Sequence, residues 1–439
     1  MGWVKMKLGD VLKNREGRYK PDDPQIAGLK RIDKINFSGQ IFLSDKGSNT
    51  DMILIKKGDL VISGINVEKG ALAVYEGEED ILATIHYSSY IFDTTKIDID
   101  FLKVFLRSPD FVQLLKEQVP GGIKTEIKPK HILPLEVYFP ETTTEQKVIA
   151  EHFFEKEAKF NLLDEHISYQ LTQLENLNQA ILQEAVQGKL VPQDKNDEPA
   201  SELLKRIKAK KAKSGKKEKP LTPIKPEEIP FEIPENWVWC KLGEIMNVKS
   251  GKRIHAADYR KEGVPFLRSG EIGTLGRGEK LKSQLYISKE KYEDIKAKFG
   301  IPKEGDILIA CIGGSIGNTW VVDNRAFYYK DGNLVLIESI PEVETNFLLT
   351  YLKSPFFWKN TILNATDSSY NALTIEKLKD AEFPLPPLSE QKQIVAEIEK
   401  QLAKTKQLKE HIISNQQATE QLLKALLHQA FEVEEIEKV

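Results

Sequence analysis

Residues 384–400 read PLPPLSEQKQIVAEIEK, and residues 139–151 read FPETTTEQKVIAE. In both, proline closes one segment and a hydroxyl residue followed by Glu opens a helical pattern. Proline has no N–H to give a strand ladder, so Pro140 and Pro384–Pro387 mark where a preceding domain ends. Thr144 and Ser389 are suited to N-caps. Glu145 and Glu390 place negative charge in the first turn, where the helix dipole favours it. One exit and one start, occurring twice, call for an internal repeat.

The repeat is there. WVKMKLGDVL (3–12) matches WVWCKLGEIM (237–246), KKGDLVISGI (56–65) matches KEGDILIACI (303–312), and FLKVFLRSPDF (101–111) matches FLLTYLKSPFF (347–357). EQKVI (145–149) then pairs with EQKQI (390–394), LLDEHI (162–167) with QLKEHI (407–412), and LNQAILQEA (177–185) with LLKALLHQA (422–430). From Glu145/Glu390 to Ala185/Ala430 the offset holds at 245, whereas before that point it drifts between 234 and 247. Each half therefore has a variable part followed by a part of fixed length.

The fixed part is helical. Phe160, Ile167, Leu174 and Ile181 recur every seven residues, with Leu163, Leu171, Leu177 and Ala185 alongside. The second copy offers Ile398, Leu402, Leu408, Ile412, Leu422, Leu426 and Ala430, with Thr405 and Thr419 intruding. Such a heptad seam predicts two coiled-coil-like helices, over 142–190 and 388–433, packed as an antiparallel pair. Each would run roughly 40 residues, or about 60 Å.

The variable parts, 1–141 and 234–387, alternate short apolar runs with turn signals, as in MILIKKGDLVIS (52–63) and GDILIACIG (305–313), broken by helical stretches. Two mixed α/β domains follow. Their scaffolds match while their loops do not: NREGRYKPDDPQIAGLKR stands against SGKRIHAADYRKEGVPFLR, and PGGIKTEIKPKHIL against ATDSSYNALTIEKLK. One scaffold with different loops is what two related sites for different targets require. Residues 191–233, with the basic run KRIKAKKAKSGKKEK (205–219), read as a mobile linker, favoured over a DNA-binding arm.

Composition excludes several classes. At 439 residues, 40% hydrophobic and 29% charged, the chain reads as soluble and of two or three domains. The opening MGWVKMKLGDVL lacks the apolar core of a signal peptide, and Met6 stands where a myristoylation motif needs Ser or Thr. No apolar run is long enough to span a membrane, and two cysteines, Cys240 and Cys311, make neither a disulfide framework nor a cysteine zinc site. A cytoplasmic protein is expected. A net charge of −3 is silent about nucleic acid, because binding depends on where charge sits.

No catalytic signature emerges. His166 and His411 occupy equivalent helical positions, but no ligand spacing persists in both copies, so no metal is expected. P-loop and G-x-G-x-x-G motifs are missing. A nuclease-like grouping of Asp110 with Glu145-Gln146-Lys147 falls on helices and is discounted.

Together these residues resemble the specificity subunit of type I restriction–modification systems. PLPPLSEQKQIVAEIE (384–399), ILQEAVQGKLVPQDKNDEPASELLKRI (181–207) and IPENWVWCKLGEI (233–245) carry the resemblance, which covers nearly the whole chain; FPETTTEQ (139–146) departs from it in lacking a Pro-Leu-Pro-Pro run. The resemblance implies a fold of two target-recognition domains in tandem, separated by the helix pair and related by a pseudo-twofold axis. It implies a non-catalytic subunit whose domains each read one half of a split site in double-stranded DNA, the helices setting the spacing. It also implies two methyltransferase subunits docked on the helices, and motor–nuclease subunits joining for restriction. No cofactor is expected on this chain; S-adenosylmethionine would sit on the methyltransferase subunits, whose N-P-P-[FY] signature is missing here.

Base readout needs side chains on loops that can enter a groove. The non-matching loops supply Asn14, Arg15, Arg18 and Lys20, with Gly121, Gly122, Lys124 and Thr125, in the first domain. Ser250, Lys252, Arg253 and Arg260, with Ser368, Ser369, Tyr370 and Asn371, are their candidates in the second. The alternatives are a single-chain modification enzyme, for which the residues are missing, and a coiled-coil protein scaffold, which would leave the divergent loops without purpose.

Overall fold

The computed structural model describes residues 2–118, 126–213, 220–282, 285–330, 332–363 and 372–431. The chain divides into two compact units, Met1–Tyr169 with His411–Val439, and Gln170–Glu410. The helices that matter below are α1 (Ile99–Leu106), α2 (Thr143–Val186), α3 (Ala200–Lys213), α4 (Thr345–Lys353) and α5 (Leu388–Phe431).

In the first unit Trp3–Lys7 pairs antiparallel with Glu136–Pro140, so the chain's first strand clasps the strand that precedes α2. One four-stranded sheet runs in the order Leu12–Asn14, Tyr87–Phe92, Leu60–Ser63, Leu72–Val74; a second runs Ile41–Ser44, Arg31–Ile35, Ile81–Thr84, Met52–Ile55. Its largest core gathers α1, the sheet residues Leu60, Ile62 and Tyr90, and Ala150 and Phe153 of α2, with Leu423 of α5 packed against it.

The second unit repeats the plan. Val238–Lys241 pairs with Glu382–Leu385. Asn247–Ser250, Leu334–Glu338, Ile307–Ala310 and Thr319–Val321 form the matching four-stranded sheet. The second sheet has three strands, Leu285–Ile287, Val264–Leu267 and Tyr328–Tyr329, and a helix, Lys289–Phe299, precedes the position where the first domain has its fourth strand. The repeated KKGD and KEGD segments form one turn: Asp59 accepts from the Lys56 N–H (3.0 Å) and Asp306 from the Lys303 N–H (2.8 Å), with Gly58 and Gly305 at φ +85° and +88°. A side chain at either glycine would be strained.

Three boundaries move. Pro384 lies inside a ladder, opposite Trp239; this is tolerated because a two-stranded ribbon leaves its N–H side open. Thr144 and Ser389 lie within the first helical turns and not at the caps. Thr142 caps α2 instead, its hydroxyl accepting from the Glu145 N–H (3.2 Å). The expected linker 191–233 is in part core: Ala200, Leu203, Leu204 and Ile207, at helical spacing, are buried with Trp237, Ile245 and Phe347 of the second domain. Several basic residues of α3 have partners too. Lys208 pairs with Glu244 (2.6 Å), Lys210 with Glu342, Arg206 with Glu198, and Lys211 donates to the carbonyls of Gly243 (2.6 Å) and Met246 (3.0 Å).

Each unit contains a stretch of both long helices, running antiparallel. In the first, Gln416 faces Asp164 while Leu423 packs in the core that holds Ala150 and Phe153. In the second, Thr405 faces Asn178 while Ile398 and Ile394 pack with Ile181 and Ala185.

Candidate nucleic-acid interface

The EQK repeat is a latch. Gln146 and Gln391 are both fully buried. Gln146 accepts from the Asp98 N–H (2.7 Å) and donates to the Pro140 carbonyl (3.0 Å). Gln391 accepts from the Glu344 N–H (2.7 Å) and donates to the Pro386 carbonyl (3.0 Å). Asp98 and Glu344 are the N-cap residues of α1 and α4. One amide thus ties the last strand, a domain helix and the long helix together, in both copies. The glutamates beside them differ. Glu145 is half-buried and serves the cap, whereas Glu390 is buried, accepting from Trp237 Nε1 (2.9 Å) and Gln193 Nε2 (2.5 Å). Burial pushes the Glu390 carboxyl above its ordinary range, and the Trp237 and Gln193 hydrogen bonds oppose that shift.

On these scaffolds sit the loops. In the first domain Arg15 is committed to structure. Its guanidinium grips Asp59 (Nη2–Oδ1 2.6 Å), a carboxylate only 3% exposed that also accepts from the Ser89 hydroxyl (2.8 Å). The hydrogen bond to Asp59 holds the Arg15 guanidinium above its ordinary pKa. Arg15 is thus held in place by the fold, and freeing it would strand a buried charge. Asn14 ends a strand half-buried, and Lys20 is exposed. Arg18 pairs with Asp51 at the surface (2.8 Å), a pair weak enough to exchange for a phosphate. Gly121, Gly122, Lys124 and Thr125 lie outside the described residues, as do Ser368, Ser369, Tyr370 and Asn371.

In the second domain the loop after Ser250 is held from beneath. The Lys252 N–H donates to the Tyr328 hydroxyl (2.6 Å), and a Cβ on Gly251 would come within 3.0 Å of the Tyr329 ring. Lys252 Nζ lies 5.0 Å from the centre of the exposed Phe299 ring. Ser250, Lys252 and Arg253 are exposed on this loop, an arrangement suited to phosphate and base contact. Arg260 is exposed but turns back on its own loop, donating to the carbonyls of Ala257 (2.9 Å) and Tyr259 (2.8 Å). Lys249 occupies the position of Arg15 and forms a half-buried pair with Glu338. Phe299 escaped sequence reading because it ends an amphipathic helix, where an aromatic residue normally reads as core.

Of the seam residues, Ile167 and Ile181 are buried, and Phe160, Leu174, Ile412 and Leu426 are half-buried. Leu408 and Leu422 turn outward, 52% and 59% exposed. The seam of α5 runs at sevens through Ile398, Thr405, Ile412, Thr419 and Leu426, its second column lying three residues before each. Leu408 and Leu422 lie four before and so fall on the flank. Their counterparts Leu163 and Leu177 are exposed as well, 43% and 47%. An outward leucine thus recurs at the same two positions of both copies.

Asp110 faces His428 (2.9 Å) and not the EQK segment. Cys240 and Cys311 are buried, and burial pushes the Cys311 thiol up to about 12. Among the described residues no group of three or more His, Cys, Asp and Glu gathers as metal ligands would, and no helix is long and apolar enough to cross a membrane.

Comparison with known proteins fits this geometry. A family profile described as the type I restriction modification DNA specificity domain matches residues 234–416. Those residues are similar to that domain. The EcoAI type I restriction enzyme specificity subunit of Escherichia coli is 35% identical over 257 residues, 56% of this chain and 42% of that one. The chain spans less than half the length of the curated relatives it matches first. Two solved chains share the fold at 18% identity. One is from work on complex assembly and conformational transition of the type I R-M system, with TM-score 0.61 and 98% of both chains covered. The other is the HsdS subunit of Thermoanaerobacter tengcongensis, with TM-score 0.52 and 98% and 96% covered. Two sheet-rich domains with long helices are therefore a fold shared with that HsdS subunit.

Proposed function

We propose that the whole chain is the DNA-specificity subunit of a type I restriction–modification complex, each sheet-rich domain reading one half of a split double-stranded site. The observation that carries this reading is the pairing of one latched scaffold with two unlike loop sets. Half-sites read from one side of B-DNA lie at multiples of about 34–36 Å, and helices of 44 residues, about 66 Å long, suit a spacing of roughly two turns. The outward leucines, present once in each copy at both positions, support docking of two identical methyltransferase subunits, which would carry S-adenosylmethionine and flip the target base. Motor–nuclease subunits complete the restricting complex, and this chain takes no part in bond chemistry.

The test is selection from random double-stranded DNA by the chain with its methyltransferase partner. A split motif should emerge. Changing Lys252 and Arg253 to Ala should then weaken binding about tenfold and lower the salt slope by roughly two. Failure to enrich any split motif would overturn the reading.

A further inference from the structure

Two polar pairs interrupt the seam between the long helices. In the second unit the Thr405 hydroxyl, on a side chain 6% exposed, donates to Asn178 Oδ1 (2.7 Å). In the first unit Gln416 Nε2 donates to Asp164 Oδ1 (2.8 Å). All four residues occupy seam columns: Asn178 and Asp164 lie three before Ile181 and Ile167, and Thr405 and Gln416 lie on the two columns of α5. The two copies do not share these residues. At the 245 offset, Thr405 stands where the first helix has Phe160, Asn178 where the second has Leu423, Gln416 where the first has Leu171, and Asp164 where the second has Lys409.

This asymmetry has a geometric consequence. If α5 slid by one heptad in either direction, Asn178 would meet Ile398 or Ile412, and Thr405 would meet Ala185 or Leu171. If α2 paired with α2 of a second chain, Asn178 would meet Phe160 and Asp164 would meet Leu171. Asn178 meets an apolar residue in every alternative, and the slip towards Ile412 also sets Asp164 against Leu423 and Gln416 against Leu171. The slip towards Ile398 sets Asp164 opposite Lys409 and Gln416 opposite Glu157, so there Asn178 alone carries the penalty, the Thr405 hydroxyl keeping the Leu402 carbonyl (3.0 Å) as an acceptor. A seam of leucine and isoleucine throughout would hold the helices as well and choose among registers poorly.

We infer that the Asn178–Thr405 and Asp164–Gln416 pairs are the register lock of the spacer, positioning residues that select one separation of the two DNA half-sites. This rests on the split-site reading above. A slip of one heptad moves a helix by about 10 Å, or about three base pairs at 3.4 Å each.

The experiment compares the wild type with a variant carrying Asn178→Leu, Thr405→Val, Asp164→Leu and Gln416→Leu. In the full chain, spin labels are placed at exposed positions through Gln173→Cys and Lys406→Cys, Cys240 and Cys311 being buried and unlabelled. Double electron–electron resonance should give one distance for the wild type and add a second, longer population for the variant, with the melting temperature unchanged or raised. In complex with the methyltransferase, the variant should modify the same half-sites at the wild-type spacer and also at spacers about three base pairs away. Exchanging the partners, Asn178→Thr with Thr405→Asn, should keep a single distance and a single spacer. A single distance and a single spacer in the fourfold variant would overturn the lock, as would a fall in melting temperature with uniform loss of modification. A wild-type complex with no split motif would defeat the DNA reading instead, and the distance measurement would still decide the register.

Discussion

The two joints between domain and long helix use the same amide and different acids. Gln146 and Gln391 make matching bonds, 2.7 Å from an N-cap N–H and 3.0 Å to a proline carbonyl, from equally buried positions. One residue away, Glu145 stays half-buried at the cap and Glu390 lies in the core. The difference follows from what packs beside each. In the second unit, Gln193 and Trp237 close over the carboxylate, on a segment that continues into the docked α3. A repeat therefore constrains the atoms that define the joint and leaves their neighbours to the segment that covers them.

The largest effect should come from breaking the shared latch. Gln146→Leu and Gln391→Leu each orphan a buried N–H and a buried carbonyl, and should each lower unfolding free energy by about 2–4 kcal/mol in urea titrations. Losses differing by more than about 1 kcal/mol would break the equivalence of the two joints.

Next comes the pair of matching basic positions, Arg15 and Lys249. Arg15→Ala leaves Asp59 buried without its cation and should cost about 2–3 kcal/mol. Lys249→Ala removes a half-buried pair whose partners both keep contact with water and should cost under about 1 kcal/mol. If Arg15→Ala proved neutral in stability while impairing DNA binding, its assignment to structure would be wrong.

The smallest effect concerns pH. The folded pKa of Glu390 is raised, so the stability linked to its protonated form is present at low pH and is lost as pH rises through that value. The melting temperature of Glu390→Gln minus that of the wild type should therefore grow with pH above the ordinary carboxylate range.

Much of the fold was legible from the chain. Six matched blocks revealed the tandem plan, and periodicities of two and seven separated sheets from long helices. The candidate interface was less so. Arg15 read as a loop cation because nothing local announces Asp59, 44 residues on. Residues 200–213 read as linker because their charges dominate composition, while their four buried apolar positions count only once the second domain lies beneath them. Leu408 and Leu422 read as seam because a helix rich in leucine offers several columns, and only the partner helix selects one.

The sequence by itself determined that the protein is two of one thing, because repeated backbone geometry demands repeated turn glycines, caps and apolar spacing. Only the tertiary structure decided what PLPPLSEQKQIVAEIEK is for. Its glutamine carries the joint and its glutamate the local difference, since both roles depend on hydrogen bonds to partners 47 and 153 residues away. Such bonds are set by where folding places donors and acceptors, and chain order does not encode that in any local pattern.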